Sequence, residues 1–334
     1  MNIIQTYIAK ADVVQRERNF LGFPYAVVKK YGEDNAGYQA ALLTYYGFLS
    51  LFPLLLVLTT IAHIVSGNNP DMQRMIIDSV TKYFPAFGNQ LAGSKQTIGG
   101  NGPALIFGTL FALYGARGVA DAFRHGVYQI WQIPLTQRTG FPKSILKSIG
   151  ILGVTGLGLI IGSVSAGYAS SAGRGFGIAV VTAVINIVVL FVLFQIILKI
   201  SLPSRVSLMD TRSAALVAAL GLVLLQTAGS FVLTSQLRHL DALYANFALA
   251  LGLLFYLYLQ AQIVYYALVI AAVKSQRLWP RSIDAANLTA ADRLSYTRRA
   301  AQEQIVPEQK ITTTFLKHNP QPDIAAQQPK RVKV

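Results

Sequence analysis

Residues 40–65 read AALLTYYGFLSLFPLLLVLTTIAHIV and hold no Asp, Glu, Lys or Arg. As a helix rising 1.5 Å per residue, this run covers the roughly 30 Å of a bilayer's hydrocarbon with some to spare. A core helix of a soluble protein keeps one polar face, whereas this stretch is apolar nearly all round. Pro53 falls near its middle. A proline there removes one backbone donor and crowds the carbonyl of Leu49, four residues earlier, so the sequence predicts a kinked helix. No water reaches a carbonyl freed inside lipid, and the hydroxyls of Ser50 and Thr44 are the local groups able to bond it. Tyr45, Ser50 and Pro53 together form the expected kink motif.

The rest of the composition agrees. Of 334 residues, 53% are hydrophobic and 13% charged, against about 25% charged in soluble domains. The formal charge is +15. In a soluble chain that excess would point to nucleic acid. In a membrane chain, Lys and Arg gather in cytoplasmic loops and tails, where they set topology and meet anionic lipid. Membrane lipids with anionic headgroups are therefore the expected partners, and nucleic acid is not. The chain has no cysteine, which excludes disulfides and Cys-ligated metals. Met1–Lys30 lacks a short apolar run with a small-residue cleavage site, so no signal peptide is expected and the first span directs insertion.

Taken in order, residues 1–39 read as interfacial helices. Ile3, Ile4, Tyr7 and Ile8 recur at helical spacing, and Phe20 to Val28 forms a second apolar patch ending in Lys29 and Lys30. An ordinary pair of packed cytoplasmic helices has the same pattern. Residues 40–274 hold six spans: 40–65, then about 103–131, 144–169, 175–200, 214–237 and 243–273. An extracytoplasmic amphipathic helix is expected over about 71–91. Residues 275–334 are polar and proline-bearing, and read as a disordered basic cytoplasmic tail. The expected fold is all-α, a polytopic six-span bundle with interfacial N-terminal helices. Six spans put both termini on one side. Twenty-two loop and tail Lys and Arg fall on that side and five on the other, which orients both termini to the cytoplasm of a plasma or inner membrane.

The second span is anomalous. Pro103 to Ala116 is uncharged but only 14 residues long, about 21 Å of helix. The crossing must include Arg117, Asp121, Arg124 and His125, which share one helical face. A charge near the bilayer centre costs about 2.5–3.5 kcal/mol on insertion scales, so these groups face protein or water. One reading is a basic cavity for an anionic headgroup. The other is a salt-bridge knot that locks helices, or a span tilted so that the charges reach the interface. In the sixth span Tyr258, Gln262, Tyr265 and Tyr266 lie on neighbouring turns. Asn186, Gln195, Gln226 and Ser230 are further buried polar candidates. Interhelical hydrogen bonding and a polar transport path both remain open for them. Gly158 and Gly162 form a small-residue pair for close packing in the third span.

Several motifs also resemble the YihY/BrkB family of inner-membrane proteins. They are Ala41-Leu42-Leu43-Thr44-Tyr45-Tyr46 with Ser50-Leu51-Phe52-Pro53, Tyr128-Gln129-Ile130-Trp131, Leu202-Pro203-Ser204-Arg205-Val206, and Leu243-Tyr244-Ala245-Asn246-Phe247-Ala248 with Tyr256-Leu257-Tyr258. The likeness spans about residues 20 to 280. Two departures stand out. Ala245 replaces the family's usual glycine, and Ala267-Leu268-Val269 replaces its Gly-Ala-Glu, so the glutamate's role does not transfer to Val269. The resemblance implies an envelope function, with lipid or lipid-linked export proposed for relatives. The reading that follows is a transporter or flippase-like exporter of an anionic amphipath, with a non-transporting scaffold or envelope-integrity factor as the alternative. No enzyme is expected, nor any cofactor or metal. The four histidines are scattered, there is no phosphate-binding loop, and the ribonuclease BN label once attached to such proteins needs clustered His and carboxylates that the cytoplasmic parts lack.

Overall fold

A computed structural model describes residues 3–50, 102–171, 176–237, 245–283 and 287–316. The chain forms α1 (Ile3–Glu17), α2 (Asn19–Glu33), α3 (36–50), α4 (Gly102–Ile130), α5 (Lys143–Ser171), α6 (Phe176–Ser201), α7 (Leu208–Leu237), α8 (Ala245–Gln276) and α9 (Ala290–Gln302). Among the described residues there is no strand. Among the described residues three stretches are long and apolar enough to cross a membrane: Val180–Ser201 in α6, Leu208–Gln226 in α7 and Ala250–Gln276 in α8. Pro53, the expected helix over 71–91 and residues 317–334 lie outside the described residues.

Helices consecutive in sequence lie side by side. α5 packs on α6, α6 on α7 and α7 on α8, while α8 also meets α4 and α2. α7 starts at Leu208, six residues before the expected Ala214, because Ser207 and Asp210 cap it. The Ser207 backbone N–H donates to Asp210 Oδ2 at 3.1 Å and Met209 N–H to Ser207 Oγ at 3.2 Å. Small residues allow the closest approaches. A Cβ at Gly115 would sit 2.7 Å from Ser50 Cβ, one at Gly118 would meet the Tyr46 ring, and one at Gly126 would collide with Tyr265. Gly158 plays this part against Leu193 of α6, whereas Gly153 and Gly156 face open space.

The core lies toward one end of the bundle. It includes Ala120, Phe123, Val127 and Ile130 of α4, Leu198 and Leu202 around the end of α6, and Leu268 to Val273 of α8. Val269 is fully buried in it. By contrast α6 exposes Val181, Val184, Ile185, Val188 and Val192 along one stripe. Such a stripe would drive aggregation in water and is ordinary against lipid.

The stretch read as a disordered tail is corrected here as far as residue 316. α8 runs on to Gln276, α9 is a capped helix, and the described residues between them, 277–283 and 287–289, form a strap. Leu278 joins the buried core and Trp279 meets Phe23 edge-on, and charged and polar groups bind the same stretch to α1 and α2 as described below. α2 combines the two expectations for the N-terminal region. Ala26, Val27 and Lys30 are buried, while Phe20, Leu21 and Val28 remain exposed.

Candidate functional site

The charged face of α4 forms as its spacing requires. Asp121 is the hub. Arg124 Nη2 donates to Asp121 Oδ1 at 3.1 Å, Arg117 Nε lies 3.4 Å from Oδ2, and Ser148 Oγ of α5 donates to Oδ1 at 2.6 Å. Arg124 Nη1 also reaches the Ser144 carbonyl oxygen at 2.7 Å. Arg124 is therefore buried and knit into α5. From helical spacing alone its one expected partner is the carboxylate it shares with Arg117, because a backbone carbonyl of the next helix is invisible to spacing. Arg117 differs. Its side chain is 52% exposed, with one ionic contact. His125 is exposed and stands apart from this cluster.

Tyr258 and Gln262 join a different set. Gln262 Nε2 donates to the Tyr258 hydroxyl, and the Tyr31 hydroxyl of α2 donates to Gln262 Oε1. The Tyr31 ring stacks on Tyr266, with centroids 4.1 Å apart. Here the polar face of α8 docks an N-terminal helix. Asn186 Nδ2 donates to Gln226 Oε1 at 3.1 Å, and Thr211 Oγ1 to Gln195 Oε1 at 2.7 Å. Both bonds tie α6 to α7. In the kink motif, Ser50 donates to the Gly47 carbonyl at 2.9 Å rather than to that of Leu49, and Thr44 to the Ala40 carbonyl at 2.8 Å. Tyr45 is exposed and meets Tyr46 edge-on.

The densest polar cluster is one the sequence reading missed. Arg281 and Asp292 have no exposed side-chain surface, and their Nε and Oδ1 lie 2.6 Å apart. Arg281 Nη2 holds Glu33 at 2.8 Å, and Lys29 Nζ holds Asp292 at 2.9 Å. The Ser282 backbone N–H reaches Asp292 Oδ2 at 2.8 Å. Asp292 and Thr289 complete a reciprocal capping box at the start of α9. From α1, Asp12 Oδ1 accepts the Ile283 backbone N–H at 2.7 Å, and Gln15 donates to the Arg281 carbonyl. Burial alone would raise the Asp292 pKa. The bonds from Arg281, Ser282, Lys29 and Thr289 outweigh it and hold that carboxyl well below the usual range. Thr289-x-x-Asp292 was the available sequence signal, a capping signature inside an otherwise polar stretch.

These contacts gather the N-terminal helices, the strap, α9 and the turn after α4 at one end of the bundle. Gln302 of α9 donates to Gln129 of α4 at 2.9 Å. A family model described as virulence factor BrkB matches residues 27–290. The chain belongs to the BrkB family. No curated protein and no solved structure matches it. Membership and the three apolar helices together make this BrkB chain an integral membrane protein. The matched range holds the whole α4 face, Glu33 and Arg281, whereas Asp12, Gln15 and Asp292 fall outside it. The clamp around Arg281 thus joins BrkB-type residues to flanking ones.

Proposed function

We propose that this BrkB-family protein spans the plasma or inner membrane six times with both termini in the cytoplasm, and that it moves an anionic lipid or similar envelope amphipath. The observation that carries the transport reading is Arg117. It sits on the helix that follows an apolar run too short to cross alone, it is half exposed, and its one ionic contact is with a carboxylate shared with Arg124. A cation so placed costs several kcal/mol unless protein, water or an anion meets it. An anionic headgroup entering beside Arg117 supplies that charge, with Asp121 keeping the guanidinium oriented. The reading assigns no catalytic step and no cofactor.

A second reading is a non-transporting scaffold. The ties from Arg124 and Asp121 to Ser144 and Ser148 favour it, since they use most of the cluster's bonding capacity to join α4 to α5. Proteoliposomes separate the two. Fluorescently labelled phosphatidylglycerol and phosphatidylcholine are placed in both leaflets, and a membrane-impermeant quencher reads their exchange. The transport reading expects faster exchange of the anionic lipid, slowed in Arg117→Gln. No exchange above protein-free vesicles for either lipid favours the scaffold. For the topology, a reporter active only outside the cytoplasm, fused after Val334, is expected to stay silent.

A further inference from the structure

A cavity of about 390 Å³ opens at the same end of the bundle as the Arg281 clamp, away from Arg117. The turn after α4, the loop between α6 and α7, the end of α8 and the outer half of α9 line it. Two arginines enter from elements far apart in sequence, Arg205 from the loop and Arg298 from α9. Among the described residues, neither takes part in an ion pair. Arg298 Nη1 donates to the neutral Gln276 Oε1 at 2.6 Å. Burial, and then the positive charge of Arg205, lower the Arg298 pKa, so the two guanidiniums feel each other's repulsion. Asp210 also borders the cavity, with its Oδ2 accepting the Ser207 backbone N–H. Gln132 lines the wall as well. It is 5% exposed, and its buried amide oxygen has no hydrogen-bond partner.

We infer that this cavity binds a phosphate-type oxyanion between Arg205 and Arg298, carried by a lipid headgroup or by a small soluble phosphate. Two like charges, Arg205 exposed at the mouth and Arg298 partly buried, with one nearby carboxylate leave the wall net positive. A dianion between them replaces repulsion with two attractions. Guanidinium forks suit the paired oxygens of a phosphate, which a lone ammonium cannot match. Ser275 on the same wall carries a hydroxyl that donates to the Ala272 carbonyl at 3.5 Å. The volume falls in the range of small-molecule sites and exceeds what bare phosphate fills, leaving room for an ester substituent. The bound anion would bridge α9 to the loop between α6 and α7, adding a ligand-dependent tie to the clamp. The α4 face plays no part in this site, so it stands apart from the transport reading.

The test uses full-length protein and two sources of phosphate. In the first arm, delipidated protein in detergent is titrated with inorganic phosphate and pyrophosphate, against chloride at equal ionic strength, and the thermal unfolding midpoint is followed. A ligand that binds only the folded state raises that midpoint with concentration. In the second arm, the midpoint is compared in nanodiscs of phosphatidylglycerol and of phosphatidylcholine. Arg205→Gln is the clean variant, since among the described residues Arg205 makes no hydrogen bond that holds the fold. It is expected to weaken the response at least tenfold with little change in the unliganded midpoint. Arg298→Gln also loses the Gln276 bond, so its response to ligand is read rather than its starting midpoint. A response to phosphate alone assigns a soluble ligand, and a response to phosphatidylglycerol assigns a headgroup. No response in either arm, or an undiminished response in Arg205→Gln, overturns the inference. Arg117→Gln should keep the full response, which separates failure here from failure of the transport reading.

Discussion

Arg281 Nε lies 2.6 Å from Asp292 Oδ1 with neither side chain exposed, and Glu33 holds the other edge of the same guanidinium at 2.8 Å. One arginine in the strap thus joins α2 to α9. Removing one partner of a buried pair leaves an uncompensated charge, at a cost of about 3–5 kcal/mol. Asp292→Asn keeps the shape of the cap but removes the charge that Arg281 and Lys29 share. It should lower the thermal midpoint and expose the strap to limited proteolysis. An unchanged midpoint and digestion pattern would show that the cluster contributes nothing to holding α9.

Acid should test the same carboxyl from another direction. Its folded pKa lies below the unfolded value of about 3.9. A group depressed in this way contributes stability above the unfolded pKa, which is lost as pH falls through the folded one. Protection of residues 277–302 from acid-tolerant protease should therefore be level from pH 7 to about 4 and fail only in stronger acid. In Asp292→Asn this acid limb should vanish. Loss of protection already near pH 6 in the wild type would contradict the assignment.

The helix ends were legible from the apolar runs, as α4, α5, α6 and α8 begin and end within a few residues of the expected segments, and among the described residues α6, α7 and α8 are long and apolar enough to cross a membrane. The α4 face was legible for the same kind of reason, as residues 117, 121 and 124 must share a side once the helix is granted. What was not legible depends on contacts distant in sequence. Lys30 looked like the charge that ends an apolar patch, yet it is fully buried with Asp34. The strap after α8 looked like a solvated tail because its partners, charges on α1 and α2 and the Phe23 ring, lie more than 240 residues earlier. Mean composition misses a segment ordered by paired ions and by two well-placed apolar side chains, Leu278 and Trp279.

Lys30 and Asp34 give a second buried pair, with Nζ and Oδ2 2.7 Å apart and both side chains essentially unexposed. Burial lowers the Lys30 pKa and raises that of Asp34, each against the pull of its partner. Burial thus opposes the charged form of each, and the attraction between the two offsets part of that cost. Lys30→Met alone strands Asp34 with only Arg299, 3.9 Å away, and should destabilise by several kcal/mol. Lys30→Met with Asp34→Asn should recover most of that loss. A double-mutant cycle in thermal unfolding gives the coupling. Strictly additive losses would mean the two residues act separately.

The contact of α4 with α8 rests on Gly126, whose absent Cβ leaves room for the fully buried Tyr265. A methyl there must displace a ring that has nowhere exposed to go. Overpacking of this kind costs about 1–3 kcal/mol. Gly126→Ala should be destabilised within that range, and Tyr265→Leu in the same background should regain part of it. Gly153→Ala on α5, where nothing lies within contact distance, is the control and should be nearly silent. Equal effects at both positions would show that general helix propensity, not this contact, governs them.

The three charges of α4 should separate by burial. Arg124 is 7% exposed and bonds both Asp121 and the Ser144 carbonyl. Arg124→Gln leaves that carbonyl and the carboxylate short of a strong donor, and should destabilise by a few kcal/mol. Asp121→Asn should do the same, because two guanidiniums then lose their shared counter-charge. Arg117 is half exposed and held by one 3.4 Å contact. Exposed pairs contribute about 0–1 kcal/mol, so Arg117→Gln should leave the midpoint nearly unchanged. Co-purified lipid gives the second axis of measurement. If Arg117 meets an anionic headgroup, Arg117→Gln should retain less phosphatidylglycerol by mass spectrometry while remaining as stable as the wild type. A variant that is both stable and fully lipid-loaded would remove Arg117 as a binding residue, and the α4 cluster would then stand as the lock between α4 and α5 that Ser144 and Ser148 already describe.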